Sequence, residues 1–389
     1  MSTFVIVGAG LAGASAATAL REEGFEGRVV LVGAEPEAPY ERPPLSKEVL
    51  RGEAPPESAL VHDDAGFYSE HGIELLTDTT VTAIDRTAAE VELHGGERLR
   101  YDRLLLATGA SPRRLPRARA LRTLADARAL GESLVEGRRA VIVGAGWIGC
   151  EVAASARARG VHVTVVEPAS VPLERVLGPE LGAFYADVHR EHDVELLLGH
   201  GVESIEADGD VKRVLLTDGS VREADVVVAG IGVTPNVDLA AEAGLEIDGG
   251  IAVDSRLTTA DPRILAAGDV AAAEHPVFGG RVRVEHWANA KNQGAAAGRA
   301  MLGSPEPYER IPYFYSDQYD VGMEYSGWAP VWDEVVIEGD VEAREFLAFW
   351  LRDGRVVAGM NVNVWDVAER VQEVVRAGGT VADATAAVR

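Results

Sequence analysis

Glycine recurs twice in the same spacing, G-x-G-x-x-G, each time between a short β-branched run and an Ala-rich stretch. The two sets are Gly8, Gly10 and Gly13, and Gly144, Gly146 and Gly149. In such a pattern the first glycine allows a tight turn, the second lets a pyrophosphate approach the backbone, and the third lets a helix pack closely on a sheet. The helix N-terminus then offers free N–H groups and a positive dipole end to the phosphates. The spacing therefore predicts two dinucleotide-binding sites.

An acidic residue follows each glycine set at the position where a ribose is usually bound. Glu35 comes just past the apolar run Val29–Gly33, and Glu167 comes directly after the run Val161–Val166. A carboxylate at Glu167 can accept both ribose hydroxyls of NAD and would repel the 2′-phosphate of NADP, for which an arginine is usual. Arg175 lies nearby, in L-E-R-V, and is the cation that could favour NADPH. These charges predict NADH at the second site.

The elements that must position these residues form an internal repeat. Each glycine set has a strand before it and another strand after its helix, which makes two βαβ units. Further buried strands are predicted at Leu104–Gly109, Val226–Gly232 and Ile264–Asp269, each ending in a glycine or an acid. The predicted fold class is α/β, with two Rossmann-like dinucleotide-binding domains of the glutathione-reductase type and a C-terminal α+β domain.

The order of these motifs predicts that the first domain is discontinuous. A first dinucleotide-binding domain over residues 1–112 and 237–307 encloses a second over residues 113–236. Residues 308–389 differ in character, since aromatic residues alternate there and Asp353-Gly354 marks a tight turn between two runs. This last region predicts antiparallel strands with a terminal helix.

Three further side chains could act at a reaction centre, and each has an ordinary structural alternative. Lys47 ends the segment Y-E-R-P-P-L-S-K, which two prolines stiffen, but it could be a solvated loop lysine. Glu151 follows the second glycine set, where it could simply complement the helix dipole. Trp287 begins the stretch Trp287–Met301, which predicts a helix, and it could be an ordinary core aromatic.

The composition disfavours several classes of protein. The 389 residues carry a formal charge of −25, which argues against nucleic acid as a partner. Cys150 is the single cysteine, so one chain can form neither an internal disulfide nor a four-cysteine metal site. No window has the apolar length of a membrane span, and no secretory signal pattern is present. We therefore expect a cytoplasmic protein that binds neither a metal nor a membrane.

Over nearly its whole length the chain resembles the ferredoxin reductases of bacterial oxygenase systems, of the putidaredoxin reductase and biphenyl dioxygenase ferredoxin reductase type. The segments that carry this resemblance are V-G-A-G-L-A-G, R-P-P-L-S-K, Y-D-R-L-L-L-A-T-G, L-R-T-L, G-A-G-W-I-G-C-E-V-A, L-E-R-V, G-I-G-V-T-P-N, A-A-G-D-V-A, E-H-W-A-N-A and Y-F-Y-S-D-Q-Y. The resemblance implies FAD at the first site and NADH at the second. It also implies an acceptor, a small [2Fe–2S] ferredoxin that serves an oxygenase or a cytochrome P450.

The same resemblance implies roles for individual residues. Lys47 would lie beside the flavin, Trp287 by the isoalloxazine ring and Glu151 near the nicotinamide. The other positions at FAD are Gly8, Gly10, Ala12, Gly13, Glu35, Arg42, Val81, Thr108, Gly109, Arg122 and Asp269. The positions at NAD are Gly144, Gly146, Ile148, Gly149, Glu167, Arg175 and Gly232. Relatives often carry Asp at the position of Ala34, so in this chain the ribose contact passes to Glu35.

The predicted reaction has two halves, hydride transfer from NADH to the flavin and then single-electron transfer to the ferredoxin. A rubredoxin reductase and a monodehydroascorbate reductase are alternatives with the same chemistry. An NADH-sensing flavoprotein of the apoptosis-inducing type is an alternative of another class. Disulfide reductases, CoA-disulfide reductases and water-forming NADH oxidases need a redox cysteine near the flavin, and R-P-P-L-S-K contains none. The sequence leaves open which acceptor is used and whether the protein is a monomer or a homodimer.

Overall fold

The computed structural model describes residues 2–62 and 66–388. In chain order the strands are Thr3–Val7 (β1), Arg28–Val32 (β2), Ile73–Leu76 (β3), Val81–Asp85 (β4), Glu90–Leu93 (β5), Arg98–Arg100 (β6), Arg103–Leu106 (β7), Ala110–Pro112 (β8), Arg139–Val143 (β9), His162–Glu167 (β10), Glu195–Leu198 (β11), Val202–Asp208 (β12), Val211–Leu216 (β13), Val221–Ala224 (β14), Val226–Ala229 (β15), Val233–Pro235 (β16), Ile251–Val253 (β17), Ile264–Ala266 (β18), Ala271–His275 (β19), Gly280–Val282 (β20), Tyr313–Gln318 (β21), Val321–Gly327 (β22), Glu334–Asp340 (β23), Glu345–Arg352 (β24) and Arg355–Val362 (β25).

The α-helices are Leu11–Glu22 (α1), Glu48–Arg51 (α2), Phe67–Glu70 (α3), Leu124–Ser133 (α4), Trp147–Ala158 (α5), Glu174–Leu177 (α6), Pro179–Glu191 (α7), Asp238–Glu242 (α8), Trp287–Met301 (α9), Ala368–Ala377 (α10) and Val381–Val388 (α11). Short 3-10 helices span Pro43–Ser46, Pro56–Ala59 and Gly268–Val270. Of the helices in the described ranges, none is long and apolar enough to cross a membrane.

The chain forms two compact units. The first comprises Met1–Glu41, Leu60–Ser111 and Pro235–Phe314, and the second comprises Arg42–Ala59, Pro112–Thr234 and Tyr315–Arg389. Residues 42–59 and most of the C-terminal region both lie in the second unit. Buried hydrogen bonds between the segment 42–59 and α5 account for the first of these placements.

The first unit is built on a parallel sheet with the strand order β18-β7-β1-β2-β3. These strands are almost wholly apolar because both faces of the sheet are covered. Helix α9, which has the bounds predicted from the sequence, packs against α1 at very short range. A Cβ atom at Gly294 would lie 2.2 Å from the Ala12 carbonyl oxygen, and one at Gly298 would lie 2.7 Å from that of Ala16. Glycines therefore set how closely the two helices approach.

The second unit repeats this arrangement. Its parallel sheet has the order β11-β10-β9-β15, and the unit β9-α5-β10 corresponds to β1-α1-β2 of the first unit. Each helix starts at its own glycine set, so the predicted pair of βαβ units is confirmed. The strands β12-β13-β14 form an additional antiparallel sheet.

A separate sheet of the order β21-β22-β25-β24-β23 occupies the C-terminal region. Its pairs β22–β25, β25–β24 and β24–β23 are antiparallel. The predicted turn between β24 and β25 has positive φ at both Asp353 (51°) and Gly354 (72°), as a type I′ hairpin turn requires. Two helices, α10 and α11, follow the sheet where one terminal helix was expected.

Candidate functional site

In the first glycine set, two glycines are required by close packing and one leaves open space. A Cβ atom at Gly8, where φ is +112°, would lie 2.1 Å from the Ala107 carbonyl oxygen, and one at Gly13 would lie 2.0 Å from that of Gly8. A Cβ atom at Gly10, in contrast, would meet no described atom within 4 Å. The fold thus requires Gly8 and Gly13, whereas Gly10 leaves open space at the start of α1. This is the place where the glycine spacing predicts a pyrophosphate.

The second glycine set has the same geometry. A Cβ atom at Gly144, where φ is +98°, would lie 2.5 Å from the Gly230 carbonyl oxygen, and one at Gly149 would lie 2.0 Å from that of Gly144. Gly146 again has open space, with no described atom within 4 Å of a Cβ built on it. We call these two places, at Gly8–Gly13 and Gly144–Gly149, the first and second cradles.

Both cradles end at the N-terminus of a helix, α1 in the first and α5 in the second. The N-cap residues Gly10 and Gly146 are extended, and the helices after them have neither a side-chain cap nor an acidic residue in the first turn. Ile148 adds an apolar surface to the second cradle, since 44% of it is exposed. Free N–H groups at a helix N-terminus bind phosphate, so each cradle suits a dinucleotide.

The two predicted ribose acids are held in place by their neighbours. Glu35 accepts a hydrogen bond from the hydroxyl of buried Tyr40. Glu167 accepts from the backbone N–H of Ala145, at 2.7 Å, and from that of Ala169, at 2.9 Å. Since each carboxylate oxygen can accept more than one bond, Glu167 retains the capacity to bind ribose hydroxyls. Arg175 is exposed on α6.

Several other predicted FAD positions lie around the first cradle. Thr108 and Gly109 follow β7, next to the Gly8 turn, and are fixed by Asn236. The Thr108 hydroxyl donates to the Asn236 carbonyl oxygen at 2.8 Å, and the Asn236 amide donates back to that of Thr108 at 2.7 Å. The predicted set of site residues did not include Asn236, although it lies in the motif G-I-G-V-T-P-N. In the second unit, Gly232 takes the position that Gly109 has in the first. Its φ is +89°, and a Cβ atom built on it would meet no described atom within 4 Å.

Ala12 lies on α1, Asp269 in the 3-10 helix Gly268–Val270, and Trp287 on α9. A Cβ atom at Gly268 would lie 3.0 Å from that of Ala12, so the residue before Asp269 touches the first turn of α1. Trp287 is the first residue of α9, with Lys291 one turn later over its ring at 5.1 Å. Val81, in contrast, is buried in β4 and packs in the core of the first unit.

His286, the N-cap residue of α9, directly precedes Trp287. Burial lowers the pKa of His286 to about 4, against the weaker influence of Asp269. The ring is therefore neutral at physiological pH, and Trp287 has an uncharged neighbour.

Arg42 and Arg122, both predicted at FAD, lie together in the second unit. The Arg42 guanidinium donates to the Arg122 carbonyl oxygen, and the Arg122 backbone N–H donates to the Asp126 carboxylate at 3.0 Å. Asp126 also completes the N-terminal capping box of α4 with Thr123. The start of α4 thus fixes the pair of arginines.

Lys47 and Glu151 form a buried ion pair within the second unit. The Lys47 Nζ atom lies 2.9 Å from Glu151 Oε2, and the side chains are only 7% and 5% exposed. The ammonium also reaches the Pro43 carbonyl oxygen, at 3.5 Å, and lies 5.5 Å from the centre of the Tyr315 ring. Lys47 is therefore not a solvated loop lysine.

Glu151 lies in the second turn of α5. Because the helix dipole acts mainly on charges in the first turn, it does not by itself account for this glutamate. Its Oε2 atom accepts from the Ser46 hydroxyl as well as from Lys47, and its Oε1 atom accepts from the Ser316 hydroxyl at 2.7 Å. Ser155 on the same helix donates to the Ser46 carbonyl oxygen at 2.6 Å and so holds the loop. Sequence reasoning missed these three serines, although S-K and Y-F-Y-S-D-Q-Y were among the quoted motifs.

Cys150 is shielded from redox chemistry. The side chain is buried, and burial together with the negative charges of Glu151 and Glu167 raises the pKa of the thiol far above its usual value. The Cys150 thiol is therefore protonated and inaccessible. Across the described ranges, no group of three or more His, Cys, Asp and Glu residues could hold a metal ion.

Comparison with known proteins gives consistent results over both parts of the chain. Residues 2–294 match the family described as pyridine nucleotide-disulphide oxidoreductase, and residues 313–388 match the family described as reductase C-terminal. Putidaredoxin reductase of Pseudomonas putida is 40% identical over 372 residues, which cover 92% of this chain and 88% of that protein.

A second relative is the ferredoxin–NAD(+) reductase component of the anthranilate 1,2-dioxygenase system of Burkholderia cepacia. It is 42% identical over 369 residues, covering 93% of this chain and 91% of that protein. The reductase in a crystal structure of the covalent putidaredoxin reductase–putidaredoxin complex matches with a TM-score of 0.94 and 38% identity, covering 97% of this chain and 93% of the other.

Proposed function

Because the chain belongs to the pyridine nucleotide-disulphide oxidoreductases and, among them, to the ferredoxin–NAD(+) reductases of oxygenase systems, we propose that it carries electrons from NADH through FAD to a [2Fe–2S] ferredoxin. The observation that best supports this proposal is the pair of matching cradles. Each contains one glycine, Gly10 or Gly146, that nothing in the described protein requires to be small. A bound pyrophosphate at each explains both.

The first cradle is proposed to hold FAD and the second to hold NADH. In this assignment residues 1–112 and 237–307 form the FAD-binding domain, residues 113–236 form the NAD-binding domain, and residues 308–389 form the C-terminal domain. The residues proposed at each nucleotide are those that the sequence predicted. Asn236 joins the first set as the residue that holds Thr108 and Gly109.

FAD, when bound, supplies the chemistry, since a flavin takes two electrons together and can release them singly. The residues of the chain bind and orient. The α5 N-terminus would hold the pyrophosphate of NADH, and Glu167 would accept from the ribose and repel a 2′-phosphate. Glu151, one turn further along the same helix, would lie on the nicotinamide side with Lys47 fixed to it. No side-chain acid or base is needed for hydride transfer, which depends on positioning.

The proposed acceptor follows from the relatives of the chain. The relatives, a putidaredoxin reductase and a ferredoxin–NAD(+) reductase component, favour a ferredoxin as acceptor over a rubredoxin, monodehydroascorbate or a purely NADH-sensing role. A cytoplasmic location is part of the proposal. Neither a membrane nor a nucleic acid is proposed as a partner, and a monomer and a homodimer are both compatible with the proposal.

The deciding experiment compares acceptors under identical conditions. Purified protein with identified FAD is given NADH and a panel of [2Fe–2S] ferredoxins, rubredoxins and monodehydroascorbate, with ferricyanide as a general acceptor. We expect at least one ferredoxin to be reduced far faster than the other physiological acceptors. Rapid ferricyanide reduction with slow turnover of every ferredoxin would reject the proposed partner but keep the NADH half. Release of FMN in place of FAD would reject the first cradle.

The role of Lys47 has its own test. Lys47→Ala is expected to slow flavin reduction by NADH more than it lowers the FAD content, because the first cradle retains the cofactor. Lys212→Ala, at a lysine on β13, is the matched control. Stopped-flow reduction of fully loaded variants measures the rate, and an unchanged rate in Lys47→Ala would leave the ion pair a purely structural role.

A further inference from the structure

A line of buried hydrogen bonds continues beyond Glu151 into the C-terminal sheet. Ser316 is joined to Glu151 at 2.7 Å, Gln318 Nε2 to the Ser316 hydroxyl at 3.2 Å, and His189 Nε2 to Gln318 Oε1 at 3.0 Å. The Tyr319 hydroxyl lies 3.2 Å from His189 Nδ1 and ends the line. Glu151 lies on α5, Ser316 and Gln318 on β21, and His189 on α7, while Tyr319 directly follows β21, so three separate elements of the second unit contribute to the line.

The direction of every bond in the line follows from the carboxylate. Glu151 already accepts from Lys47 and Ser46 through Oε2, and an ionised carboxylate only accepts, so the Ser316 hydroxyl must donate to Oε1. Ser316 then accepts from the amide nitrogen of Gln318, which leaves the Gln318 oxygen to face the histidine.

The hydrogen bonds of His189 also fix which ring nitrogen carries the proton. The Gln318 oxygen can only accept, so the proton of the imidazole lies on Nε2, and Nδ1 accepts from the Tyr319 hydroxyl. Burial lowers the pKa of His189 to about 4, which keeps the ring in the neutral form that the line requires. Every donor therefore points towards Glu151.

Because these hydrogen bonds are buried, losing one of them costs more free energy than losing a hydrogen bond at the surface. Ser316, Gln318 and His189 are each 1% exposed, so water cannot replace a lost partner. Sheet packing alone would be served by apolar side chains at these positions, which would avoid the cost of burying polar groups. A role for these polar side chains is therefore to be sought at the Glu151 carboxylate, where their line of hydrogen bonds ends.

We propose that Ser316, Gln318 and His189 are positioning residues, which fix the rotation of the Glu151 carboxylate and, through it, the place of the Lys47 ammonium while NADH reduces the flavin. This inference rests on the proposed function. It assigns a role in that reaction to the C-terminal sheet and to α7. A carboxylate held at both oxygens cannot turn about its own axis, whereas one held only at Oε2 can, and small misplacements at a hydride-transfer site cost rate.

The first test is a double-mutant cycle on the half-reaction with NADH. Ser316→Ala is expected to lower the limiting rate constant of flavin reduction about tenfold, the lower end for losing a hydrogen bond to a charged group. The Kd for NAD(+) should stay within about twofold, because the second cradle is untouched. In a Glu151→Gln background the same serine change should cost less than about twofold, since its target has lost its charge.

Matched variants separate positioning from general damage. Ser326→Ala makes the same change at a buried serine of β22, in the same sheet but bonded to Gln372, and should leave the rate unchanged. Ser316→Thr keeps the hydroxyl and should recover most of the rate. Gln318→Met removes the next bond in the line and should slow reduction in the same direction, so it decides the matter if Ser316→Ala does not fold.

A spectroscopic readout that does not depend on turnover accompanies the kinetics. The infrared carboxylate bands lost in Glu151→Gln identify Glu151, and Ser316→Ala should shift them while Ser326→Ala should not. A full rate in Ser316→Ala, or an undiminished loss in the Glu151→Gln background, would overturn the proposal. Because ferredoxin is absent from these assays, a wild-type protein that NADH fails to reduce would instead count against the proposed function.

Discussion

Gly146→Ala should separate nucleotide binding from folding in the second unit. A Cβ atom at Gly146 meets no described atom within 4 Å, and its φ of −77° is accessible to alanine. The substitution should therefore lower the free energy of unfolding by only about 1 kcal/mol, the usual cost of alanine at an N-cap. The new methyl group would instead occupy the space proposed for the pyrophosphate.

The expected loss of affinity follows from the bonds at the start of α5. A phosphate that cannot reach the helix N-terminus loses one or more charge-assisted hydrogen bonds, each contributing about 1.5–3 kcal/mol. The Kd for NAD(+) should accordingly rise by roughly ten- to a hundredfold. Gly149→Ala differs in kind, since its Cβ would lie 2.0 Å from the Gly144 carbonyl oxygen. That variant should lose stability as well as binding.

The assay combines thermal unfolding, FAD content by absorbance and titration with NAD(+). Gly131→Ala is the matched control, because it adds a methyl group to an open position of α4 in the same unit. We expect Gly131→Ala to bind NAD(+) normally and Gly146→Ala to retain its FAD and nearly all its stability. A Gly146→Ala protein with unchanged NAD(+) affinity would refute the assignment of the second cradle.

Three further predictions follow from charge and burial. Glu167→Arg should weaken the use of NADH and improve that of NADPH, measured as kcat/KM for each, and a wild-type preference for NADPH would contradict the ribose assignment. Cys150→Ala should leave NADH oxidation with both ferricyanide and ferredoxin near wild type, since the thiol is buried and protonated, and loss of activity at full FAD content would favour a thiol mechanism. His189 has a lowered pKa of about 4, so the unfolded chain binds a proton that the native protein excludes, and stability falls as the pH drops from about 6.5 towards 4. His189→Gln should lose roughly 2 kcal/mol less unfolding free energy than wild type between about pH 7 and pH 5, measured by urea unfolding, and a pH dependence equal to that of wild type would contradict the burial argument.

The sequence by itself was sufficient to predict the fold, the family and the two nucleotides. The glycine sets are informative because their constraints are local. Gly8 and Gly144 adopt positive φ, and each set adjoins a strand and a helix that its own residues favour. The apolar strands and α9 were predicted for the same reason, since buried runs and helical stretches are visible within a few consecutive residues.

The tertiary structure alone decided which distant side chains meet. Lys47 could be a solvated lysine on the sequence pattern, and only the contact with Glu151, on another element of the second unit, shows that it is buried and paired. Ser316 and His189 carried no sequence signal of their own, because a serine in a strand or a histidine in a helix has many ordinary uses. Their hydrogen-bond partners come from elements far apart in the chain, and local conformational preferences do not specify such pairings. A buried polar group is defined by its partners, so only the packed structure could identify the line that ends on Glu151.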